Sequence, residues 1–182
     1  MTNSLRDILT QWNASRDNCE WVLCTIYEIT GSSYRKPGAM MMISGRGQRL
    51  GLLSGGCLEA DIQLHAKRVM SDQRSLTLTY DATDEDDLTF QLGIGCRGVV
   101  HILLQPVSKE NAYLGLKELF NALEAHQQGL YYQCINPEDG EAQGYFELAE
   151  GEKNGRSTVE QSCLNRMAIA GCEPISTLSL IC

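Results

Sequence analysis

Residues 21–59 read WVLCTIYEITGSSYRKPGAMMMISGRGQRLGLLSGGCLE, and the order of patterns in that stretch decides the fold. Trp21–Ile29 is apolar and rich in branched and aromatic side chains, the composition of a strand buried on both faces. Gly31–Gly38 breaks it with small, basic and proline residues. Ala39–Ile43 is a second strand, Gly45-Arg46-Gly47 a turn, and Gln48–Leu53 a third short strand. Ser54-Gly55-Gly56 then opens a helix from about Cys57 to Met70. Leu58, Ile62, Ala66 and Val69 recur on one side of it, with Glu59, Gln63 and Lys67 on the other.

Outward from this stretch the alternation continues. Ser4–Trp12 is a short amphipathic helix with Ser4 as its N-cap. Ser75–Tyr80 alternates as a strand, and the five acids of Asp81–Asp87 read as a solvated loop without the residue order of a calcium loop. Gly93-Ile94-Gly95-Cys96-Arg97-Gly98 is a second glycine-rich loop, entering a strand over Val99–Leu104. Ala112–Gln127 has a helical stripe of Tyr113, Leu116, Phe120 and Leu123, with Gly129 as a stop. Strands follow at Leu130–Ile135 and Gly144–Leu148. Interspersed helices and strands predict a layered α/β domain with a mixed sheet and flanking helices. It is expected to occupy residues 1–150, leaving 151–182 as a C-terminal tail or the start of a truncated linker.

Composition excludes several classes of function. The chain has 182 residues and a formal charge of -8. No block of Lys and Arg supplies the positive surface that nucleic acid requires, so no nucleic-acid partner is expected. No segment approaches the roughly 20 apolar residues of a membrane span. The first twelve residues lack the pattern of a signal peptide, so a cytoplasmic location is expected. There the 8 cysteines are expected to be thiols rather than disulfides, and no C-x-x-C pair suggests a zinc site. Most of them read as small core residues. The three histidines, His65, His101 and His126, are far apart and form no metal spacing.

Three loops could carry chemistry. In the first, Gly31, Ser32, Ser33, Arg35 and Gly38 combine backbone freedom with hydroxyls and a planar cation suited to an anion; composition alone favours the alternative, a plain surface loop. In the second, Ser54, Gly55, Gly56, Cys57 and Glu59 stand at a helix start. With Ser54 as the cap, Cys57 would lie in the first turn, where the helix dipole favours thiolate, while Glu59 opposes that shift. The alternative is a cysteine packed as a small apolar residue. The third carries Gly95, Cys96 and Arg97, whose guanidinium could hold a phosphate or be solvated. Neither glycine loop fits a P-loop or a dinucleotide fingerprint.

Taken in order, these motifs resemble a known family. Residues 31–40, GSSYRKPGAM, are similar to the G-S-S-x-R-x-P-G-A-x-M signature of the XdhC/CoxI family. Residues 54–59, SGGCLE, and 93–98, GIGCRG, resemble its second and third glycine segments. Arg97 stands where the family usually has glycine, Tyr34 where proline is frequent, and Met40 in place of an arginine. Family members usually continue into a C-terminal Rossmann domain, so this chain is expected to be a single-domain member or a truncated piece. The resemblance implies an accessory protein rather than a metabolic enzyme. It would bind molybdenum cofactor (molybdopterin) as cargo, assist its sulfuration, and deliver it to a xanthine-dehydrogenase-like molybdoenzyme. A cysteine desulfurase and a second copy of the chain are the further expected partners. Within it, the loops would hold phosphate and pterin, and Cys57 and Cys96 would be the candidate reactive thiols and molybdenum contacts. The rival readings are a cysteine-dependent sulfur or acyl transferase with Cys57 as nucleophile, and a non-catalytic interaction module.

Overall fold

The computed structural model describes residues 4–82, 98–135 and 140–149. Its centre is β1 (Trp21–Gly31), which pairs on one side with β2 (Met40–Ser44) and on the other with β5 (Gly98–Val107). β3 (Arg49–Gly51) adds to β2, and β4 (Leu76–Asp81) adds to β5. The resulting order is β3-β2-β1-β5-β4. The layered α/β expectation holds. The expected mixed sheet, however, is antiparallel in all four of these pairings: short returns join β1 to β2 and β2 to β3, while the connection through α2 links the two edge strands, β3 and β4, which do not pair.

Alternation along β1 divides the core into two layers. Trp21 and Leu23 pack toward α1 (Leu5–Ser15) together with Ile8, Leu9 and Trp12. Val22, Cys24 and Ile26 pack on the opposite face, beneath α2 (Glu59–Asp72) and its Ile62, Ala66 and Val69. A strand with both faces covered needs apolar residues at successive positions, which is why 21–26 reads as one continuous run. The predicted stripe of α2 is buried throughout. Ser4 caps α1 as expected, its hydroxyl accepting from the Asp7 amide at 3.3 Å.

The expected helix over 112–127 is divided. Ala112, Tyr113 and Leu114 have φ of 51°, 54° and 55° and form, with Gly115, a left-handed turn. The right-handed helix α3 begins only at Leu116 and ends at Glu124. Tyr113 therefore lies outside α3, although it is buried beside Trp12. Close packing supplies the reason: a Cβ at Gly115 would sit 2.7 Å from backbone atoms of Tyr145 and Phe146. These belong to β7 (Gly144–Leu148), which pairs with β6 (Gly129–Gln133) in a separate two-stranded sheet.

Candidate functional site

The β1–β5 ladder brings the first loop to the end of the third. Its register shifts between Ile26 and Glu28, a bulge, and then runs on to the pair Gly31–Gly98. A bulge increases local twist and redirects the strand end. Beyond it, Ser32 passes so close to Gly98 that a Cβ there would lie 2.4 Å from the Ser32 carbonyl oxygen. Gly98 is thus required by contact between two loops, not by its own φ.

The second loop is held by a carboxylate. Glu59 is 1% exposed, although its sequence position falls on the polar side of the helix. Its Oε1 accepts from the backbone amides of Leu53 and Ser54 at 3.0 and 2.8 Å, and its Oε2 accepts from the Ser54 hydroxyl. Burial pushes this carboxyl's pKa up, but the hydrogen bonds from Ser54, Leu53 and its own amide outweigh that and hold it below the usual value. Ser54 Oγ in turn accepts from the Leu58 amide at 2.8 Å. Ser54 is consequently not the N-cap: that position is Leu58, and α2 starts at Glu59. Cys57 precedes the helix on an exposed turn rather than sitting in its first turn. The argument from the helix dipole does not apply at that position.

These constraints gather a small hollow at one end of the sheet. Ser32, Ser33 and Tyr34 come from the first loop, Leu53, Ser54 and Leu58 from the second. Gly98 and Ala82, which flank 83–97, complete the rim, while Ile26, Tyr80, Val100 and Ile102 form its apolar floor. Its volume is about 30 Å³, room for a water or two. A larger ligand must therefore lie across the mouth, against the loops. Gly55, at φ 77°, packs under Tyr34, and Gly56, at φ 117°, faces open space.

Not every predicted site residue reaches this hollow. Arg35 is half-buried and Cys57 exposed, yet neither lines it. Gly31 and Gly38 shape the first loop through φ of 84° and 89°. Gly95, Cys96 and Arg97 lie outside the described residues, as do the acids of 83–87. Among the described cysteines, Cys24 and Cys134 are buried, as expected of core thiols, and burial pushes the Cys24 thiol's pKa up. No group of three or more potential metal ligands occurs among the described residues.

Sequence reasoning missed Tyr80. Its hydroxyl donates to Asp61 on α2 at 2.6 Å, and burial followed by that carboxylate raises the phenol's pKa. Asp61 also lies 3.6 Å from His65 Nε2. A larger hollow of about 460 Å³ sits at the other end of β1, among Arg16, Asp17, Lys109 and Tyr113. Within it Asp17 pairs with Lys109 at 3.3 Å and accepts from the Tyr113 hydroxyl at 2.5 Å. It contains none of the motif residues.

Residues 14–81, which carry the first two loops, match the family model described as the XdhC and CoxI family. That segment is similar to the XdhC and CoxI family. A protein named as a probable xanthine dehydrogenase subunit, from Bacillus subtilis strain 168, is 40% identical over 94 residues, 52% of this chain and 28% of that protein. The molybdenum cofactor insertion chaperone PaoD of Escherichia coli K12 is 30% identical over 112 residues, 61% of this chain and 33% of that one. A crystal structure of a xanthine dehydrogenase from Bacillus halodurans superposes with a TM-score of 0.70 at 32% identity, over 89% of this chain and 47% of that chain. The matched region thus spans about a third of these two relatives and about half of the solved one. No helix among the described residues is long and apolar enough to cross a membrane.

Proposed function

We propose that this chain is an accessory protein for xanthine-dehydrogenase-like molybdoenzymes, holding molybdenum cofactor as cargo across the mouth of the hollow. The observation that carries the reading is the meeting of Ser32, Ser33, Ser54 and Gly98 at one rim, from segments far apart in sequence. The likeness to a molybdenum cofactor insertion chaperone supplies the cargo. The chemistry fits: the Ser33 hydroxyl and turn amides suit a phosphate, and the apolar floor suits the edge of a planar heterocycle. Cys57, exposed beside this rim, is the described thiol able to approach a soft metal or a sulfur being installed. Cys96, Arg35 and Arg97 are assigned to the same site on the motifs alone. Glu59 contributes indirectly, by fixing the second loop. Sulfuration of the cargo with a cysteine desulfurase, and pairing of two copies of the chain, extend the same proposal.

Anaerobic gel filtration with cofactor released from a molybdoenzyme tests it. Co-elution of molybdenum and pterin with the protein is the expected result, and elution of both at the small-molecule volume overturns the reading. Cys57→Ala is expected to weaken retention severalfold; unchanged retention removes the thiol from the site.

A further inference from the structure

We infer that Tyr34 is the residue that selects a planar ring at this site, acting as a stacking platform at the mouth of the hollow. The inference rests on the cofactor reading above and adds a specificity residue to it. Tyr34 is 58% exposed, unusual for so large a ring, yet it is not a random surface side chain. A Cβ at Gly55 would lie 3.5 Å from ring carbons Cδ2 and Cε2, so the ring lies over Gly55 with room for no more than a small side chain between them. Glycine is favoured at this position by its φ of 77°, which turns the second loop beneath the ring.

The ring also lines the hollow, together with the Ser32, Ser33 and Ser54 positions. Tyr80, the other aromatic there, has its hydroxyl committed to Asp61. Tyr34, by contrast, makes no hydrogen bond or ring contact among the described residues. An exposed π-face beside hydroxyl-bearing turns matches a ligand with a flat heterocycle and an anionic arm. Stacking on such a ring is tolerant of substituents but demands planarity.

The test measures cofactor affinity anaerobically by equilibrium dialysis, using the full chain and cofactor released from a molybdoenzyme. Tyr34→Phe keeps the π-face and is expected to bind like the wild type. Tyr34→Leu keeps apolar bulk without a plane and is expected to bind on the order of tenfold more weakly, with an unchanged far-ultraviolet circular dichroism spectrum. Equal affinity of Tyr34→Leu and wild type overturns the platform while leaving the cofactor site standing. Weakened binding in Tyr34→Phe also overturns it, since the hydroxyl would then be the contact. Absence of binding by the wild type overturns the cofactor reading itself, and this inference with it.

Discussion

Glu59 concentrates the physics of the site in one side chain. A carboxylate withdrawn from water is costly unless its oxygens are filled, and here two amides and a hydroxyl fill them. Removing it leaves three donors without their acceptor, the buried Leu53 amide and the partly buried Ser54 amide and hydroxyl, so Glu59→Ala is expected to cost about 1.5–3 kcal/mol in urea denaturation at pH 7. Its folded-state pKa lies below the ordinary 4.5. The stabilisation it confers is therefore complete above pH 4.5 and is lost as pH falls through the folded value. Glu59→Gln should accordingly show a flatter loss of stability below pH 4.5 than the wild type; parallel profiles would contradict this account. The role of Glu59 was illegible in the sequence, because helical periodicity places a charged residue on the wet face. Its partners, Leu53 and Ser54, precede the helix, and Ser54 reads there as a cap rather than as a donor to Glu59. Cys57 failed for a related reason: the helix starts at Glu59 rather than about Cys57, and that shift removes it from the first turn.

At the scale of elements, much was legible. The stripe Leu58, Ile62, Ala66 and Val69 is buried throughout, since a 3.6-residue period admits one inward face. Ile62→Ala is expected to cost about 2–5 kcal/mol, whereas Leu64→Ala, exposed on the same helix, should change stability by less than about 0.5 kcal/mol. Comparable losses at both positions would refute the placement of α2. The turn at 112–115 was hidden because Tyr113, Leu114 and Leu116 are apolar in either hand of helix. Contact with β7, remote in sequence, requires the left-handed form. Close approach of the first loop to β5 makes a further demand. Gly98→Ala would drive a Cβ to 2.4 Å from the Ser32 carbonyl, so it is expected to destabilise by about 1–3 kcal/mol through overpacking. A melting temperature equal to that of the wild type would show that the loop can yield.

For the whole molecule, antiparallel strands explain how a short chain assembles a site at one end of a sheet. The β1–β2 return places the first loop at one end of the sheet, and the β1–β5 ladder carries it across to Gly98. The resemblance read from three motifs identified the loops but not the floor. Ile26, Tyr80, Val100 and Ile102 lie on strands whose apolar residues look alike in sequence, whichever end of the sheet they reach. The central claim is that the cofactor seats over these loops, and alkylation of Cys57 tests it most directly. Cys57 is exposed beside the rim, whereas Cys19 lies half-buried at the opposite end of β1. Peptide mass spectrometry after timed iodoacetamide treatment, with and without anaerobically added cofactor, reads both thiols at once. The account predicts that cofactor slows the modification of Cys57 severalfold and leaves Cys19 unchanged; equal Cys57 rates with and without a bound cofactor would contradict it.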